Sequence, residues 1–176
     1  MVKNMSKINL IVGFVVVSAL GFLFHFAYDF IGLSGLKVVF PQNESIFEHL
    51  KTFIFPALIY MIIDIIVTKE RYNIFSSYIS GIIVASIFMI AGYFTYSGII
   101  GMNIDWVNIL IFFICVAIIF YYRYKKITLF EGSNSVIAFI VYLVIIEVFT
   151  FYPTDINLFK ELPTQCLIGF SLNLPH

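Results

Sequence analysis

The chain has 176 residues, of which 61% are hydrophobic and 11% charged, and its mean hydropathy is +1.03. Soluble domains carry about 45–50% apolar and about 25% charged residues, so this is the composition of an integral membrane protein with enough chain for one helical bundle. Basic and acidic residues balance at 10 each, which leaves no electrostatic basis for a nucleic-acid partner.

The first apolar run spans about residues 8–28, behind Lys3 and Lys7. It is too long for a signal-peptide core and no small-x-small cleavage site follows, so it reads as a retained span. Gly13, Ser18 and Gly21 are small enough to let a second helix approach closely. His25 and Asp29, four apart, share a face near its end. A connection with Gly32, Gly35 and Pro41 follows, and its 36–40 part is apolar enough to lie at the interface.

The polar stretch from Pro41 to Lys51 leads into the second span, about residues 48–68. Asn43 or Ser45 can cap the helix, Ser45-x-x-Glu48 fits a capping box, and a helix through the stretch puts Glu44 and Glu48 on one face. Ser45, His49 and Thr52 form the neighbouring face. Pro56 interrupts the hydrogen-bond ladder of this span, and Asp64 lies in its apolar far part. The third span, about 73–95, carries Ser77, Gly81 and Ala85 at four-residue spacing, a packing face. The fourth, about 106–122, has Trp106 at one end and Tyr121, Tyr122 and Tyr124 at the other as interface anchors, with Asn108 as interhelical glue. The fifth, about 136–152, contains Glu147 and stops at Pro153. The tail after it is suited to the rim of the bundle. Cys115 and Cys166 lack metal-ligand spacing and fall in different environments, so no disulfide is expected.

The expected fold is therefore an all-α integral membrane protein, a compact bundle of about five transmembrane helices forming one domain over residues 1–176. With the N-terminus cytoplasmic, seven basic residues (Lys3, Lys7, Lys69, Arg71, Arg123, Lys125, Lys126) lie inside and three (Lys37, Lys51, Lys160) outside. The positive-inside rule selects that orientation and leaves the C-terminus extracytoplasmic.

Orientation gathers the polar groups. His25, Asp29, Asn43, Glu44, Glu48, His49 and Glu147 all belong to the outer half. At 1.5 Å per residue, Glu147 lies roughly 9 Å below Pro153 and His25 roughly 6 Å below Asp29, so they meet at similar depth if spans one, two and five are neighbours. Ionisable groups in a membrane face a partner or a wet cavity. Two imidazoles and several carboxylates are the ligand set of zinc, iron or manganese. Under that reading His25, Glu48, His49 and Glu147 are the metal ligands, Glu44, Glu48 and His49 the catalytic groups, and Asp29, Asn43 and Lys51 further pocket residues. The same groups also fit a structural ion-pair network, with Lys51 on Glu44 or Glu48, or a solute pathway.

Three segments, His25-Phe-Ala-Tyr-Asp29, Pro41-x-Asn43-Glu44-Ser45-x-x-Glu48-His49-Leu50-Lys51 and Phe151-Tyr-Pro153-x-x-x-x-Leu158-Phe159, resemble the signature of a family of small multi-pass membrane proteins of unknown function from bacteria, mostly Firmicutes. The middle segment is the specific one. After Leu-Phe the family's tail is acidic, Pro-containing and Gly-rich, whereas here it reads Lys160-Glu-Leu-Pro163. The resemblance implies a protein of the bacterial cell membrane and adds weight to His25, Asp29, Asn43, Glu44, Glu48 and His49. The functional expectation is a small membrane enzyme, metal-dependent, acting on a lipid-linked or amphipathic substrate, with a solute-binding or transport subunit and a non-catalytic membrane partner as alternatives.

Overall fold

The computed structural model describes residues 7–31, 37–68 and 71–160, except the side chains of residues 7, 27–31 and 71–72. Six helices follow in order: α1 (Lys7–Ile31), α2 (Ile46–His49), α3 (Lys51–Thr68), α4 (Arg71–Ile100), α5 (Asp105–Lys125) and α6 (Ser133–Phe151). No strand occurs among the described residues. Five stretches are long and apolar enough to cross a membrane: Ile8–Phe26, Ile46–Thr68, Asn73–Ile100, Asp105–Lys125 and Ser133–Phe151. A helix needs about 20 apolar residues for that. The short α2 runs almost directly into α3, so the pair makes one such stretch.

The central helices are α3 and α4; α1 packs on α3 and α5, and α6 packs on α4. The core is built from Phe53, Ile54, Tyr78, Ile82, Cys115 and Ile119, all buried. Small residues set the closest approaches. A Cβ added at Gly81 would lie 2.9 Å from the Ile119 Cα, so α4 and α5 meet backbone to backbone there, as the Ser77-Gly81-Ala85 spacing predicts. A turn further on, the Cys115 thiol donates to the Ala85 carbonyl at 3.3 Å. Cys166 lies outside the described residues. At Gly21, a Cβ would come within 2.7 Å of the Thr52 carbonyl oxygen. That oxygen has lost its usual donor, because the residue four positions on is Pro56. The proline and the glycine are thus two halves of one α1–α3 contact.

Buried hydroxyls join the remaining helices. Ser76 bonds Ser135 at 3.0 Å and Ser86 bonds Tyr142 at 2.6 Å, both between α4 and α6. Residues 154–160 fold back over the start of α2: Phe159 stacks on Phe149, with ring centroids 5.1 Å apart, and the Leu158 carbonyl accepts from the Phe47 amide at 3.2 Å. The described part of the tail is therefore a cap on the bundle end that carries His25 and His49.

The neighbours of α6 correct one expectation. Among the described residues spans one, two and five do not enclose a common pocket: α1 packs on α3 and α5, α6 packs on α4, and no α6 residue lines the cavity that holds His25 and His49. The α4–α5 hairpin, which turns through Gly101 at φ +78°, takes the place expected for α6 beside α1.

Candidate metal centre and cavity

The segment before α2 shapes the site. The Asn43 side chain accepts from the Ser45 amide at 3.0 Å, closing a turn. Ser45 is the N-cap, with extended backbone (φ −74°, ψ 150°), and its hydroxyl accepts from the Glu48 amide at 3.3 Å. Half of the expected capping box is present. The other half is not, because the Glu48 carboxylate bonds the Gln42 amide at 3.0 Å instead of the N-cap amide.

The same cap separates the two glutamates. Glu44 precedes the helix, so four-residue spacing does not place it on the face of Glu48, contrary to the helical expectation. Glu44 turns towards α1 and Glu48 towards α6.

Glu44 meets both histidines. Its Oε2 lies 3.4 Å from His49 Nε2 and its Oε1 lies 3.8 Å from His25 Nε2. The two imidazole rings are 5.1 Å apart, and the three donor atoms fall within 4.8 Å of one another. His49 Nδ1 is 2.8 Å from the Ser45 carbonyl oxygen. A carbonyl only accepts, so Nδ1 carries a proton, and in the neutral ring the lone pair resides on Nε2, facing Glu44. A lone pair opposite a carboxylate is favourable only with a cation between them, either a proton on Nε2 or a metal ion. The hydrogen bond from His49 holds the Glu44 carboxyl below the ordinary glutamate range; partial burial opposes it, and the nearby His49 and His25 charges add to it.

The separations suit a metal. Ligands about 2.0–2.1 Å from a tetrahedral zinc stand roughly 3.3 Å apart, near the 3.4 and 3.8 Å between Glu44 and the two imidazoles. A backbone carbonyl on the second nitrogen of His49 is the usual way a ligating imidazole is oriented. His25, Glu44 and His49 form the one group of three or more His, Cys, Asp or Glu side chains close enough to share an ion among the described residues.

A cavity of about 430 Å³ opens beside this triad. Phe22, Ile46, Met89, Ile111 and Phe112 supply apolar walls, and Thr52, Tyr93, Asn103, Asp105 and Asn108 supply polar ones. The two asparagines are fixed to each other, with Asn108 Nδ2 donating to Asn103 Oδ1 at 2.7 Å, and the Tyr96 hydroxyl donates to Asn108. Asn108 is therefore both interhelical glue, as expected, and cavity wall. Asn103 and Tyr93 were not apparent as site residues. The faint signal for them is the recurrence of Tyr96, Asn103 and Asn108 around one interhelical turn.

The other predicted residues form a second cluster. Glu48 accepts from Lys51 Nζ at 2.9 Å and from the Thr150 hydroxyl at 3.1 Å. Lys51, 0% exposed, also donates to the Lys37 carbonyl at 2.7 Å. Glu147 lies within electrostatic reach of Lys51 and Glu48, and its Oε2 is buried with no hydrogen-bond partner. Glu48 and Glu147 are thus gathered away from the imidazoles and around a lysine. This corrects their placement beside His25 and His49; a buried ammonium attracts the nearest carboxylates more strongly than neutral rings do. The side chain of Asp29 lies outside the described residues. At the opposite end of the bundle, Asp64 accepts from Arg123 Nε at 2.6 Å and from the Tyr78 hydroxyl at 3.3 Å, so Arg123 is a buried partner and not an interfacial charge.

The family profile described as a family of unknown function, DUF6512, matches residues 1–165. The chain belongs to that family. No curated protein and no solved structure matches it. The family adds no activity, and the chemistry rests on the residues described above.

Proposed function

We propose that this protein is a small multi-pass enzyme of the bacterial cell membrane, with its N-terminus cytoplasmic, that uses a divalent metal held by His25, Glu44 and His49 to act on a lipid-linked or amphipathic substrate. The observation that carries the reading is the convergence of three ligand atoms at the edge of a largely apolar cavity. Two imidazoles and one carboxylate suit zinc or ferrous iron, and manganese less well. Three protein ligands leave a coordination position for water or substrate, and a bound zinc brings its water to a pKa of about 7. Hydrolysis is the reaction this arrangement supports best. The basic residues favour an outward-facing site.

The structural-network alternative now applies to Glu48, Lys51 and Thr150, which bond one another, with Glu147 within electrostatic reach. The transport alternative relied on Asp64, whose carboxylate is engaged by Arg123 and Tyr78.

The test is elemental analysis of protein purified in detergent without chelators, beside His25→Ala and His49→Ala. Near-stoichiometric metal in the parent and its loss from both variants, with melting temperatures preserved, is the expected result. A metal-free parent that also fails to take up zinc, iron or manganese on titration would refute the proposal.

A further inference from the structure

The metal ligands leave open what the cavity binds and from which side. Phe22 on α1 and Ile109 on α5 both line the cavity, yet they are 40% and 45% exposed. Their outward neighbours Phe26 and Trp106 are exposed as well. Residues that line a cavity and also face outwards mark its opening, and this opening lies between two membrane-length helices. Deeper in the bundle the same helices close: Phe22 packs on Phe112 and Phe113 with ring centroids 5.6 and 5.8 Å apart. His25 is one turn beyond Phe22, and Asn108 is one turn before Phe112. The polar groups therefore stand roughly 5 Å above an aromatic floor.

Charge narrows the class of ligand. Among the described residues no lysine or arginine lines the cavity, whereas Glu44 and Asp105 do. The buried Lys51 is committed to Glu48 and to a backbone carbonyl. A divalent ion at neutral histidines, offset by Glu44 and Asp105, gives a formal site charge of zero. Phosphate is held by arginine or lysine donors or by a metal with charge to spare; among the described residues no such donor lines the cavity, and Glu44 and Asp105 offset the charge of the ion. Asn103 and Asn108 offer carboxamides, which match neutral hydrogen-bonding groups.

We propose, building on the metal-site reading, that the cavity admits a membrane lipid sideways between α1 and α5 and selects one with an uncharged, hydrogen-bonding headgroup over one bearing a phosphate. The headgroup sits between the triad and the asparagines, and the chain leaves past Phe22 and Ile109 into the bilayer. A volume of about 430 Å³ holds the headgroup and the first part of a chain.

Trp106 is the one tryptophan in the chain and stands at the portal, so it reports binding directly. The full-length protein in detergent is titrated with a monoacylglycerol brominated in its chain, and with the lysophosphatidic acid carrying the same chain. The expected result is saturable quenching by the neutral lipid, reversed by its unbrominated form, and at least tenfold weaker binding of the phosphate lipid. Ile109→Phe, which narrows the portal, should weaken neutral-lipid binding at least fivefold. Asp105→Lys should shift the preference towards the phosphate lipid by tenfold or more. Equal binding of both lipids, quenching that never saturates, or insensitivity to both variants would overturn the proposal. Metal is measured on the same samples. Selective lipid binding in a protein that takes up no metal would overturn the metal reading and leave the lipid portal standing; bound metal without lipid selectivity would do the reverse.

Discussion

Glu44→Gln separates a metal ligand from a surface ion pair. The carboxylate is 57% exposed and lies 3.4 and 3.8 Å from the two imidazoles. As ion pairs, such half-solvated contacts are worth about 0.2–1 kcal/mol each. A loss of about 1 kcal/mol lowers the melting temperature of a protein this size by about 2–4 °C. As a metal ligand the same group matters far more: losing even an outer-shell partner typically costs about 10–100-fold in affinity. The variant should therefore bind zinc at least tenfold more weakly while melting within a few degrees of the parent. Zinc competition against a chromophoric chelator, with cobalt(II) absorption reporting the geometry, gives the first number, and thermal unfolding in detergent gives the second. Unchanged affinity would refute the assignment of Glu44, and a melting point lowered by more than 10 °C would show that the carboxylate is structural. Acid should release the metal before Glu44 titrates. Imidazoles must be neutral to ligate. Glu44 has a lowered pKa in the fold, so its stabilising contribution is complete above the unfolded value of about 4.3 and disappears only as pH falls through the lower folded value. Metal still bound after the Glu44 carboxyl has taken up its proton would contradict that order.

Three further outcomes test the packing. Lys51→Met leaves Glu48 buried without its ammonium and should cost about 3–5 kcal/mol, most of it recovered in the Lys51→Met/Glu48→Gln double variant; a harmless single substitution in chemical unfolding would remove the pair from the account of the fold. Asp64→Asn should destabilise by a similar amount by orphaning Arg123, and Asp64→Leu/Arg123→Leu should be closer to the parent in the same assay. Gly21→Ala puts a Cβ 2.7 Å from the Thr52 carbonyl and should cost about 1–3 kcal/mol, whereas Gly98→Ala, with nothing within 4 Å, should change stability by less than about 1 kcal/mol; equal melting temperatures for the two would refute the close α1–α3 contact.

The helices were legible because their signal is local: a run of about 20 apolar residues is a span whatever surrounds it. The packing face at Ser77, Gly81 and Ala85 was legible for the same reason. Partners were not. Asp64 and Arg123 stand 59 positions apart, and no local rule joins them. Arg123 reads as a cytoplasmic-loop charge until the turn at Lys126 is seen to keep it inside α5, where it is 1% exposed. At the site, His25 and His49 were legible as polar residues that a span does not spend freely. Which glutamate would join them was not, because that depends on where the helix starts. With Asn43 as N-cap, Glu44 would begin the helix and share a face with Glu48. With Ser45 as N-cap, as observed, the two diverge.

That two-residue difference explains why a single short segment serves two clusters. Glu48 reaches back to the Gln42 amide and is itself held by Lys51 and Thr150, so residues 42–48 form a loop closed at both ends. Glu44 lies in the middle of that loop, and its only freedom is in its side chain. The Ser45 carbonyl, fixed by the same cap, accepts from both the His49 amide and Nδ1. The Glu48–Lys51 pair thus sets the geometry of Glu44 and His49 from the far side of α2, without touching a ligand atom. A buried ion pair is a poor source of net stability. Here its position accounts for it better than its energy does: it pins to α6 and to the Lys37 carbonyl the one stretch of non-helical backbone on which the spacing of the three donor atoms depends.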